Sequence, residues 1–80
     1  MKAVAPHTGV LVVVSDPAGA QVALDGRIIG VTPLTLNEAP AGEHALRVEL
    51  GGRERWTRAI RVVAGRMLMV SASLRPAARP

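Results

Sequence analysis

The spacing of prolines and glycines constrains this chain more than any other feature. Eight glycines and six prolines fall at intervals near ten residues. No segment offers ten residues of helical periodicity free of either type, so helices are excluded as the main element. What lies between the stops reads as short strands. "VLVVV" (Val10 to Val14) is a nearly continuous β-branched run suited to a strand covered on both faces, or one whose second face is capped by the flanks. Ala20, Val22 and Leu24 share one parity, as do Leu46, Val48 and Leu50, and then Leu68, Val70, Ala72 and Leu74. In "RWTRAIRVV", Trp56, Arg58, Ile60 and Val62 share another, which places Trp56 at a sandwich end with Arg58 snorkelling beside it.

The stops differ in kind. Asp16-Pro17-Ala18-Gly19 has the residue preferences of a type I turn, with Asp first, Pro second and Gly fourth. Asp25-Gly26 is a two-residue hairpin signal, because the favoured turn needs positive φ at both central positions. Arg27 to Ile29 is the return strand, ended by Gly30 before Thr32-Pro33, where proline lacks a ladder donor. Leu34 to Leu36 reads as a short edge strand, "NEAPAGEH" as a loop carrying Pro40 and Gly42, and Ala64-Gly65-Arg66 as the turn into the last strand. About seven short strands with no substantial helix predict an all-β fold, a small two-sheet β-sandwich of Ig-like or transthyretin-like type.

Eighty residues make one domain and hide only about 60–65% of the surface an unfolded chain exposes, so little core is spare for a deep pocket. Residues 9–74 are read as that domain, with 1–8 and 75–80 as Pro/Ala/Arg-rich flanks. Cysteine is absent, which removes disulfides and thiolate metal sites. The longest apolar run is far shorter than a membrane span, and the N-terminus is broken by Pro6 and His7 before an apolar core develops, so neither membrane insertion by this segment nor a signal peptide is predicted.

The spaced residues resemble a known family. Ser15, Pro17, Gly19 and Ala20, then Val22, Leu24-Asp25-Gly26, Gly30, Thr32-Pro33-Leu34, Pro40-Ala41-Gly42 and His44 follow the pattern of the PEGA domain over residues 9 to 74. One position departs: Gly52 is followed by Arg53 where that family often has Tyr, and the aromatic comes at Trp56. The resemblance implies a compact, non-catalytic accessory β-sandwich, appended to bacterial and archaeal cell-surface proteins or lipoproteins. It also occurs on the C-terminal, often extracytoplasmic, side of membrane-anchored serine/threonine kinases. On this reading the chain is a spacer or protein-interaction module of the cell envelope. Its special residues, Asp16, Pro17, Gly19, Ala20, Asp25, Gly26, Gly30, Thr32, Pro33, Pro40 and Gly42, are structural turn formers. The expected partner is a protein or envelope component, met by strand addition at an edge in 34–36 or 27–29; a homodimer is the other use of such an edge.

Net charge is +4, unevenly placed. In residues 1–50, Lys2, Arg27 and Arg47 are outnumbered by Asp16, Asp25, Glu38, Glu43 and Glu49; in residues 51–80, seven arginines stand against Glu54 alone. Arg53, Arg55, Arg58, Arg61 and Arg66 therefore form a candidate polyanion-binding set, for acidic glycan, teichoic acid or nucleic acid. Alternating parity breaks any continuous stripe. A hydrolytic triad would have to use Ser15, His44 and Asp16 or Glu43, but Ser15 borders a turn and lacks a nucleophile elbow. His7, Glu43 and His44 have no paired metal-ligand spacing, and Asp25 lacks the further oxygens of a calcium loop. "GRIIGVT" lacks the lysine and helix of a phosphate loop. No catalytic residue, cofactor or metal is expected.

Overall fold

The computed structural model describes residues 7–76. Seven strands follow in chain order: β1 (Thr8–Asp16), β2 (Gln21–Leu24), β3 (Arg27–Val31), β4 (Leu34–Pro40), β5 (Gly42–Glu49), β6 (Trp56–Val62) and β7 (Met67–Ser73). They form a three-stranded sheet, β4-β1-β7, and a four-stranded sheet, β3-β2-β5-β6. The all-β two-sheet fold expected from the stops is the fold observed.

Parity does the packing. Leu11 and Val13 of β1 and Val70 and Ala72 of β7 face Val22, Leu46, Val48 and Val62 of the second sheet, and all eight are buried. Each Leu or Val side chain so removed from water contributes about 1.5–3 kcal/mol. Trp56 is half-buried against this core. On the second face of β1, Val10, Val12 and Val14 are half-buried. Among the described residues, its in-sheet neighbours β4 and β7 flank these side chains.

Local expectations fail where the chain changes sheets. Residues 16–19 do not close a type I turn. The Gly19 amide donates instead to the Thr32 carbonyl at 3.0 Å, and the Thr32 amide to the Ala20 carbonyl at 2.8 Å, because the segment must leave the β1 ladder and start another. Gly30 does not end β3, which runs on to Val31 through a bulge between the Val22 and Ala23 pairs. "NEAPAGEH" is not a loop: β4 extends to Pro40 and β5 begins at Gly42, with Ala41 alone between them. The Ala41 amide is satisfied by the His7 carbonyl at 2.9 Å, so one residue suffices to cross.

β6 and β7, consecutive in sequence, lie in different sheets, and β7 pairs in parallel with β1 over seven unbroken positions, Val10↔Met67 to Asp16↔Ser73. The ordered fold reaches slightly into both segments read as flanks. Thr8 belongs to β1, the Arg75 carbonyl accepts from the Glu54 amide at 2.8 Å, and Pro76 bridges to Arg53. Residues 1–6 and 77–80 of the flanks lie outside the described residues.

Asp25 and Gly26 have φ of 52° and 84°, the positive pair that a two-residue hairpin tip requires. Gly9 is needed for another reason. A Cβ there would stand 2.5 Å from the Val63 carbonyl oxygen and 2.7 Å from that of Arg66, where the β6–β7 crossing folds over the start of β1. Gly9→Ala should therefore cost about 1–3 kcal/mol by overpacking. Gly51→Ala, whose added methyl meets nothing within 4 Å, should stay within about 0.5 kcal/mol. Urea midpoints with unchanged m-values would measure both.

Candidate functional site

The polar residues gather at the two ends of the sandwich. At one end, Thr32 is almost fully buried, 3% exposed, and its Oγ1 accepts from the Gly19 amide at 3.1 Å and the Ala20 amide at 3.0 Å. Ser15 Oγ lies 2.6 Å from the same oxygen and donates its own proton to the Pro17 carbonyl at 2.7 Å. With that proton committed, the Thr32 hydroxyl is the donor toward Ser15. The chain of bonds thus has one direction, and Thr32 uses its donor and both acceptor positions. A Ser15 whose hydrogen is held by a carbonyl has no base to activate it.

At the other end the hairpin tip docks on β5. Asp25 Oδ1 accepts from the Ala45 amide at 2.8 Å, and the Asp25 amide donates to the Ala45 carbonyl at 2.8 Å. His44 Nδ1 is 2.5 Å from Asp25 Oδ2, and Nε2 is 2.7 Å from the Pro40 carbonyl. Both ring nitrogens face acceptors, and only the imidazolium has two N–H groups to give them. The imidazole is 10% exposed while the carboxylate is 51% exposed. The hydrogen bond to Asp25, then that to Pro40, raises the His44 pKa above the ordinary histidine value. In return, the His44 bond and then the Ala45 amide lower that of Asp25. Leu24, Ile29 and Leu36, with Arg27 and Glu38, complete an open cavity of about 400 Å³ beside this pair.

Ser15 and His44 thus have separate partners at the two ends, and no triad assembles. Asp25 serves as a turn residue and His44 bonds nearby backbone. Among the described residues no group of three or more His, Asp or Glu is arranged to hold a metal ion, and no helix is long and apolar enough to cross a membrane.

The five candidate arginines are not brought into one surface. Arg53 donates to the Leu74 carbonyl at 3.2 Å and helps close the corner. Arg55 pairs with Glu49 at 2.5 Å, and Arg61 with Glu43 at 3.5 Å. Arg58 lies 5.2 Å above the Trp56 ring, a cation–π contact on the face opposite to Arg61. Arg66 stands beyond the end of β6. The carboxylates that counter Arg55 and Arg61 come from β5, the neighbouring strand, where sequence distance hides them.

Of the turn residues, Asp25 and Gly26 form the tip, Gly19, Ala20 and Thr32 join in one knot, and Pro40 supplies an acceptor to His44. Asp16 lends its carbonyl to the Leu74 amide at 2.9 Å. Three features escaped the sequence: the close approach at Gly9, the hub role of Thr32, and the Asp25–His44 pair. The "DG" and "PAGEH" segments held the last of these, 19 residues apart, but nothing local says that they meet.

A family model described as the PEGA domain matches residues 8–78. No curated protein matches the chain.

Thr32→Val keeps the shape but strips the Ala20 amide of its acceptor in a buried place, where an unmet donor costs about 1–3 kcal/mol. Its denaturation midpoint should fall accordingly, and Thr32→Ser should recover most of the loss. The ionic pair at the other end gives a pH signature. A raised histidine pKa contributes stability in full below the unfolded value of about 6.5 and loses it as pH rises through the folded pKa. A lowered aspartate pKa contributes above its unfolded value and loses it as pH falls through the folded one. The thermal midpoint should therefore drop on both sides of a mildly acidic plateau, and His44→Asn should flatten the alkaline limb. His7 is present in both proteins, so the difference curve reports the coupled His44–Asp25 pair.

Proposed function

The chain belongs to the PEGA domain family, and from that premise we propose that it is a non-catalytic accessory module of a larger bacterial envelope-associated protein. A membrane-anchored serine/threonine kinase is the kind of host the family suggests, with the module outside the membrane as a spacer and protein-interaction unit. The observation that carries the reading is the state of its reactive side chains. The Ser15 proton goes to a carbonyl, both His44 nitrogens are engaged, and the Thr32 hydroxyl is saturated. Groups in such bonds hold a backbone together; they are not poised for a substrate.

Interaction has its own support. Among the described residues the two small sheets leave four strands, β3, β4, β6 and β7, each without a strand partner on one side, and an unpaired strand side is a template for another chain. The arginine-rich half supports polyanion binding less well, because its charges are divided among Glu43, Glu49, Trp56 and a backbone carbonyl.

The test is replacement within the host chain. An unrelated β-sandwich with a similar distance between its ends should preserve membrane anchoring and fail to restore partner crosslinking. Full restoration would reduce the module to a spacer, and a purified domain with intrinsic turnover would overturn the non-catalytic reading.

A further inference from the structure

The Asp25–Gly26 tip is chemically singular in this chain. An aspartate can lose water to the amide nitrogen that follows it, and does so most readily before glycine, whose missing Cβ leaves that nitrogen open to approach. Elsewhere the reaction is blocked or slow. Asp16 precedes Pro17, whose nitrogen has no hydrogen to give up, and the single asparagine, Asn37, precedes Glu38. At the tip, a Cβ built on Gly26 would meet nothing within 4 Å. The Asp25 side chain is 51% exposed, so water reaches it.

In the reaction the Gly26 nitrogen bonds to Asp25 Cγ, the Cγ–OH bond breaks, and one water leaves, made from that hydroxyl and the amide hydrogen. The five-membered succinimide then takes up one water. Addition at Cγ restores Asp25, whereas addition at the Asp25 backbone carbonyl carbon leaves Gly26 attached through Cγ, an isoaspartyl link of unchanged mass. The reacting form is the protonated carboxyl, because a carboxylate has no hydroxyl to lose.

The folded tip opposes this step twice. Both carboxylate oxygens are held by β5: Oδ1 accepts from the Ala45 amide at 2.8 Å, and Oδ2 lies 2.5 Å from His44 Nδ1. Ring closure needs Cγ eclipsed with the backbone carbonyl carbon about the Cα–Cβ bond, away from any staggered rotamer. A carboxyl pinned at both oxygens cannot turn there without releasing its partners. The same bonds, His44 first and Ala45 second, lower the Asp25 pKa and keep the carboxyl ionised. His44 is fixed in turn through Nε2, 2.7 Å from the Pro40 carbonyl. Arg27 and Glu38 line the same hollow, but among the described residues neither pairs with Asp25 or His44, so His44 is the one side chain that holds the carboxyl.

We infer that Asp25–Gly26 is the chain's site of spontaneous isoaspartate formation and that His44 sets its rate by pinning the carboxyl. The product undoes the tip. An isoaspartyl link adds one carbon to a main chain whose two-residue turn depends on φ of 52° and 84°, and it moves the free carboxylate onto Cα, away from Ala45 and His44. β3 is paired with β2 alone, so it is the strand that loses its anchor.

The test is incubation of the full chain in neutral buffer, well below its thermal midpoint, with isoaspartate counted by enzymatic methylation and located by mass-spectrometric fragmentation. His44→Ala should accumulate it at position 25 at least about fivefold faster than the parent, because the released tip is more populated. His44→Phe, which keeps a ring and offers no N–H, should do the same. Thr32→Val, weakened at the opposite end of the sandwich, should stay within about twofold of the parent. The parent unfolded in urea gives the unpinned rate, and both His44 variants should fall between it and the folded parent. In the isomerised chain, separated by chromatography, amide hydrogen exchange should rise in β3 and stay unchanged in β1 and β7.

Equal rates in the folded and unfolded parent, no acceleration by either His44 variant, an equal acceleration by Thr32→Val, or isoaspartate gathering at another position would each overturn the assignment.

Discussion

One hydroxyl holds the topology together. β1 and β4 lie in one sheet and β2 and β3 in the other, so the links β1–β2 and β3–β4 must both cross from sheet to sheet. At each crossing the backbone leaves its ladder, and the donors it carries have to be met elsewhere. Thr32 sits on the second crossing and accepts the amides of Gly19 and Ala20 on the first, while Ser15 ties the end of β1 to the same oxygen. Two crossings are satisfied by each other, inside the protein, at a single buried point.

The opposite end solves the same problem with ions and close backbone. Ala41 crosses from β4 to β5 under the His7 carbonyl, and the β6–β7 link packs onto Gly9 with the Gly65 amide donating to the Thr8 carbonyl at 2.9 Å. The β2–β3 tip reaches this end as well, where Asp25 and His44 fasten it to Pro40. Between the two clamps the core is aliphatic, with Leu and Val as its largest fully buried side chains. In a chain of this size such a core is modest, so the polar ends carry a large share of what distinguishes this fold from a slipped one.

This division also bears on function. The side chains with reactive chemistry are the ones that close the ends, whereas the surfaces left open are strand edges and their adjoining faces. Arginines of the second half mostly serve the fold: Arg53 caps a carbonyl, Arg58 covers Trp56, and Arg55 and Arg61 balance carboxylates on β5.

Much of this molecule was readable without coordinates. The all-β class, the hairpin at Asp25-Gly26 and the buried parities of β2, β5, β6 and β7 follow from interactions within a few residues, and local spacing encodes those directly. The family was legible for the same reason, since its marks are turn formers at set intervals. Tertiary structure alone decided which sheet each strand enters, that β1 and β7 run parallel, that Thr32 is a hub, and that Asp25 meets His44. A proline or glycine says where a strand stops, but a turn back to the same sheet and a step across to the other one use the same residues. Only the packing of two apolar faces, with every displaced backbone group finding a distant partner, selects between them.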